Sequence, residues 1–140
     1  MVCKEIMVRK DILRLAVAAA WLAVAAPAMA EDFRVAVSAG KRSVIGSIGT
    51  YNTFTCAPSA VPQPRVAQQP EHGKVEVVEE RRVLNAGRCG RIESNLLVVY
   101  YTPRAGYRGP DAASVDFLSF AFAESQKMRS TRYSYAITVK

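Results

Sequence analysis

Residues 132–140 read RYSYAITVK. Tyr133, Tyr135, Ile137 and Val139 fall on one side of an extended chain, and Arg132, Ser134, Ala136 and Thr138 on the other. Successive Cβ atoms of a strand point to opposite faces, so this alternation buries one face only as a half-covered β-strand. DFRVAV (32–37) does the same with Phe33, Val35 and Val37, and KVEVV (74–78) with Val75 and Val77 inward and Lys74 and Glu76 outward. In TYNTFTC (50–56), Phe54 and Cys56 share a face, which aims the Cys56 thiol into the core.

NLLVVYY (95–101) has six apolar residues in a row, as suits a central strand covered on both sides. SVDFLSFAF (114–122) alternates less cleanly. The joints are rich in breakers: Gly46 and Gly49, then APSAVPQP, QPEHG, NAGRCG and PRAGYRGP. Proline cannot donate to a ladder, so these stretches belong in loops or at edges. Residues 57–71 are the longest irregular piece or a frayed edge. No window of eleven or more residues beyond residue 30 carries a helical stripe. About seven short strands at turn-delimited spacing predict an all-β, antiparallel two-sheet sandwich forming one domain, 31–140.

Residues 1–30 stand apart. Lys4, Arg9, Lys10 and Arg14 precede LAVAAAWLAVAA (15–26), an apolar run of twelve residues that Pro27 and Ala28-Met29-Ala30 close. A basic start, a short apolar core and an A-x-A ending mark a secretory signal peptide. The run is shorter than the roughly 18 residues a membrane-spanning helix needs. Cleavage is expected between Ala30 and Glu31, with translation starting at Met1 or Met7, and Glu31 in place of Cys argues against a lipid anchor. The mature chain is expected in the periplasm or secreted, with no transmembrane segment. Four of the 19 cations and two of the 12 acids leave with the signal, so 15 against 10 remain, a net charge of +5. That surplus favours anionic neighbours and also keeps a protein soluble.

Cys3 also leaves, and Cys56 and Cys89 remain. An even pair in an exported chain reads as a disulfide, and without C-x-x-C it reads as a structural staple. Closing a loop of this length is worth roughly 3–4 kcal/mol in the chain-entropy model.

Pro70-Glu71-His72-Gly73-Lys74-Val75, Val99-Tyr100-Tyr101-Thr102-Pro103, Gly106-Tyr107 and Gly109-Pro110-Asp111 occur in that order. This resembles the tail half of bacterial Ig-like and cadherin-like domains, over about residues 70–111. The resemblance implies an Ig-like β-sandwich with a binding or structural role, and it names no ligand. Where the family alternates aromatics after the Asp, this chain has Ala113 and Val115, with Phe117 arriving late, which reads as a register shift or a bulge.

No catalytic residue is expected. His72 is the lone histidine, no G-x-S-x-G occurs, and both cysteines are committed. His72 with Gly73 reads as a turn before a strand. Gly106 and Gly109 read as bends with φ > 0, Tyr107 as an aromatic folded back over the end of the core, and Asp111 as a carboxylate accepting turn amides. Neither zinc nor calcium is expected, because one histidine and scattered acids do not assemble either ligand set. No cofactor is implied, and no stacking platform or motif points to nucleic acid.

The arginines remain. Arg81, Arg82, Arg88 and Arg91 crowd one hairpin, and Arg104 and Arg108 sit in PRAGYRGP with no structural duty legible from sequence. If the two loops share one end of the sandwich, the six guanidinium groups form a patch for phosphate or carboxylate groups. The alternative is a solvated face balanced by Glu79, Glu80 and Glu93. The expected function is a non-catalytic binding or structural module of the cell envelope, acting on a protein or an anionic envelope component through a strand edge or the basic hairpin. The second expectation is a small inhibitor of a hydrolase, with a disulfide-braced loop plugging the enzyme.

Overall fold

The alternating segments pair into two sheets in a computed structural model of the chain, which describes residues 30–120 and 127–140. The strands are β1 (Ala30–Val37), β2 (Ser43–Ile48), β3 (Gln63–Gln68), β4 (Gly73–Asn85), β5 (Arg91–Pro103), β6 (Gly109–Phe120) and β7 (Met128–Val139), with one 3-10 turn at Gly87–Cys89. The expected signal peptide lies outside the described residues except for Ala30, which begins β1. So do residues 121 and 122 of SVDFLSFAF.

One sheet has the order β1-β7-β6-β3 and the other β2-β5-β4. Side chains from both meet in one core, with Val75, Val99 and Tyr101 from the three-stranded sheet against Val115, Phe117, Tyr135 and Ile137 from the other. This is the expected two-sheet sandwich of seven strands. One pairing departs from the expected antiparallel pattern, because β1 runs parallel to β7 from Ala30↔Arg132 to Val37↔Val139. A parallel pair requires a long connection between its members. Here the whole intervening chain supplies it.

β5 is central in its sheet, and Leu96, Leu97, Val98 and Val99 are all buried. Val98 lies between Ser47 of β2 and Val78 of β4. Gly49, leaving β2, passes so close to Leu96 that a Cβ there would stand 1.8 Å from Leu96 Cδ2. The uninterrupted apolar run therefore has a physical reason on both faces.

Of the two readings of residues 57–71 the edge holds: they contain a strand, β3, at the edge of the four-stranded sheet, with Pro64 within it, paired with Phe117. Two other expectations need correction. β6 keeps unbroken register with β7 from Gly109 to Phe120, and the irregularity lies instead on β3, between Val66 and Gln68. TYNTFTC is not a core strand. Asn52 Oδ1 accepts the amides of Phe54 at 2.8 Å and Thr55 at 2.9 Å, a side-chain turn that competes with strand pairing. Phe54 is consequently 85% exposed, and Cys56, at φ 59°, turns away from the core toward Cys89.

Candidate functional site

The turn before β4 and the joint between β5 and β6 lie at one end of the sandwich, where the chain passes between the sheets. Asp111, the third residue of β6, accepts the amides of Glu71 and His72 at 3.0 Å each, the Ala112 amide at 3.0 Å and the Tyr101 hydroxyl at 2.8 Å. One carboxylate thus ties β6 of one sheet to β5 of the other and to the turn that leads into β4. Burial, then the bond to Asp111, pushes the Tyr101 hydroxyl pKa well above the usual phenol range. Tyr107 stacks on His72 with ring centroids 4.0 Å apart and donates its hydroxyl to the Pro110 carbonyl. Gly106 and Gly109 have φ of 78° and 130°, as their bends require.

Arg104 has a structural duty that the sequence did not disclose. Its Nη2 donates to the Glu71 carbonyl at 2.8 Å and lies 3.1 Å from His72 Nδ1, while its backbone amide donates to the His72 carbonyl at 2.7 Å. Arg108 is exposed and makes no hydrogen bond or ion pair among the described residues.

The six arginines do not converge. Gly73 pairs with Pro103 at one end of the 13-residue β4, and Asn85 pairs with Arg91 at the other. At about 3.3 Å per residue, roughly 40 Å separates the Arg104–Arg108 joint from the Arg88–Arg91 tip. Arg81 and Arg82 are neighbours in a strand, so they project to opposite faces and meet different acids: Glu93 at 2.6 Å and Glu80 at 2.6 Å. Single-patch binding is ruled out by strand length and alternation.

The outer face of the three-stranded sheet carries a balanced lattice. Glu80 accepts from Tyr100 at 2.5 Å and from Arg82, and those bonds hold its carboxyl below the usual range. Arg42 lies 3.5 Å over the Tyr100 ring, and Lys74 bonds Glu76 at 2.7 Å. The free edge of β4 is partly capped as well. The Gln69 amide pairs with the backbone of Val75 in both directions, at 3.1 and 2.9 Å, where an added strand would have to bond. These bonds narrow the room for strand addition along β4.

On the outer face of the other sheet, sequence reasoning missed Asp116. It is 3% exposed and is held by Arg132 at 2.6 and 2.9 Å and by Arg65 at 2.9 Å. The bond to Arg132 is the largest reason its carboxyl is lowered to about 2, against the opposing effect of burial. Only its place between Val115 and Phe117 hinted at a constrained carboxylate.

The far end of the β4–β5 hairpin is built differently. Cys56 and Cys89 are joined, with Cα atoms 5.4 Å apart, and the bond fastens the loop after β2 to the hairpin tip. Asn52 and Ala57 close the loop by a backbone bond of 2.9 Å, and the Tyr51 hydroxyl donates to the Ala86 carbonyl. Phe54 stands at the point of this loop, the most exposed of the large apolar side chains described. Arg88 lies beside it, with Nη2 3.5 Å from the Phe54 carbonyl.

Among the described residues, no three His, Cys, Asp or Glu side chains are grouped so as to hold a metal ion, and no helix is long and apolar enough to cross a membrane. The fold and this tip define a disulfide-tied two-sheet β-sandwich. Comparison of the chain with family models, curated proteins and solved structures gives no match.

Proposed function

We propose that this chain is an exported, non-catalytic binding module of the cell envelope, related to the Ig-like and cadherin-like domains its motifs resemble. One contrast carries the reading. At the motif-bearing end Asp111 and Arg104 are spent on joining the sheets, Asp111 alone taking four donors, while at the opposite end the disulfide holds Phe54 out into solvent. A cystine staple is at home in the periplasm or outside the cell, and the basic, A-x-A-terminated leader supports the same compartment.

Cell fractionation with N-terminal sequencing tests it. The expected result is a mature chain beginning at Glu31 outside the cytoplasm, without free thiols, that retains a partner from native envelope extracts. An uncut cytoplasmic chain with two reactive thiols would overturn it.

A small inhibitor of an envelope or foreign hydrolase is the second reading, favoured by the narrow, braced loop that ends in Phe54. Stoichiometric loss of one hydrolase's activity on adding the mature chain is its expected sign.

A further inference from the structure

We propose that the disulfide-tied tip, with Phe54 at its point, Arg88 beside it and Arg91 opening β5 two residues past Cys89, docks into an aromatic-sized apolar recess of a protein partner, rimmed by carboxylates. The inference rests on the binding-module reading and assigns its working surface.

The loop is fixed before any partner arrives. Asn52 Oδ1 holds the amides of Phe54 and Thr55, the Cys56 amide donates to the Asn52 carbonyl at 2.8 Å, and the disulfide pins the loop to the hairpin. A side chain presented on a locked backbone loses little conformational entropy on binding, so more of its burial appears as affinity. Fully burying a phenylalanine side chain is worth about 1.5–3 kcal/mol, and aromatic side chains are enriched at interfaces. Nothing in the fold uses the Phe54 ring, since 85% of the residue remains in solvent.

Charge specifies the rim. No Asp or Glu occurs between Gly49 and Pro70, nor between Arg81 and Ile92. Arg91 makes no ion pair among the described residues, and Arg88 meets only the Phe54 carbonyl, at the limit of hydrogen-bond distance. Both guanidinium groups are therefore open to a partner's carboxylates, which they can grip in bidentate fashion. By contrast, Arg81, Arg82, Arg65 and Arg132 are already held by acids of this chain, and Arg108, open like Arg91, has no exposed aromatic of Phe54's kind beside it in PRAGYRGP.

A protein recess suits this tip better than a lipid surface. Phe54 is flanked by Asn52, Thr53 and Thr55, so one ring enters an apolar environment and its neighbours do not. A bilayer rewards a broad apolar face, whereas a pocket rewards a single anchor.

The test places a photo-crosslinking phenylalanine analogue at position 54 of the full chain in its native cell, and at positions 34 and 78 in separate controls. Position 54 should give one discrete adduct. Binding of the mature chain to that purified partner should weaken about 30-fold or more in Phe54→Ala, as for an interface anchor. Arg88→Gln with Arg91→Gln should weaken it too and remove most of its salt dependence, which Phe54→Ala should keep. The exposed position makes misfolding of Phe54→Ala easy to exclude by an unchanged melting temperature.

An adduct only from position 34 or 78, with Phe54→Ala binding within about twofold of wild type, a difference of under half a kcal/mol, would sink the tip but leave the binding module standing. No adduct from any position would remove both. Phe54-dependent sedimentation with vesicles of phosphatidylethanolamine and about one-quarter phosphatidylglycerol would overturn the protein partner in favour of an anionic membrane.

Discussion

Asp111 holds four donors from three segments, and the buried Tyr101 hydroxyl has no other hydrogen-bond partner among the described residues. Asp111→Ala should therefore lower stability by about 2–4 kcal/mol in urea denaturation, because it strands a buried hydroxyl. Tyr101→Phe removes the hydroxyl itself and should cost about 1 kcal/mol; equal losses would contradict this division of roles. Gly73 is constrained differently. A Cβ there would stand 2.5 Å from the Thr102 carbonyl and 2.6 Å from the Tyr101 ring, and backbone cannot step aside as a side-chain tip can. Gly73→Ala should cost about 1–3 kcal/mol, read from the same denaturation midpoints. At this scale Gly106, Tyr107, Gly109 and Asp111 were legible, because turn geometry acts through the residue and its near neighbours. Arg104 was not. Its carbonyl acceptor on Glu71 lies 33 residues away in sequence.

Strands β3, β6 and β7 share one electrostatic device, Asp116 between Arg65 and Arg132. Its folded pKa lies below that of an unfolded Asp, about 3.9, so its contribution is complete above that value and lost as pH falls toward about 2. Both arginines are partly exposed, and solvent screening limits the contribution to about 1–2 kcal/mol. Wild-type stability should decline by that amount between pH 4 and pH 2, and Asp116→Asn should flatten this limb of the stability–pH curve. An unchanged slope in the variant would refute the assignment. Strand positions were readable because alternation and an uninterrupted apolar run are local signals. TYNTFTC misled for a physical reason: the pattern was strand-like, but the Asn52 side chain supplied the loop with a competing set of bonds.

Across the whole molecule, the disulfide joins a loop to a hairpin tip and lies outside the cluster of buried apolar side chains. Replacing both cysteines by serine should cost roughly 3–4 kcal/mol, mostly by freeing the unfolded chain. The two sheets should survive, so the variant should keep its strand-type circular dichroism below a lowered melting temperature. Loss of all strand signal under native conditions would mean that the bond organises the sheets. The sequence by itself determined the all-β class, the breaker-rich joints, the central position of NLLVVYY and the pairing of the only two cysteines left after the expected leader. Each follows from periodicity, backbone stereochemistry or counting. The tertiary structure alone decided that β1 lies parallel to β7, that Asp116 is covered, that the Arg104–Arg108 joint lies about 40 Å from the Arg88–Arg91 tip, and that Phe54 points outward. These depend on which strands become neighbours and how long the β4–β5 ladder runs, distances in space that no local pattern encodes.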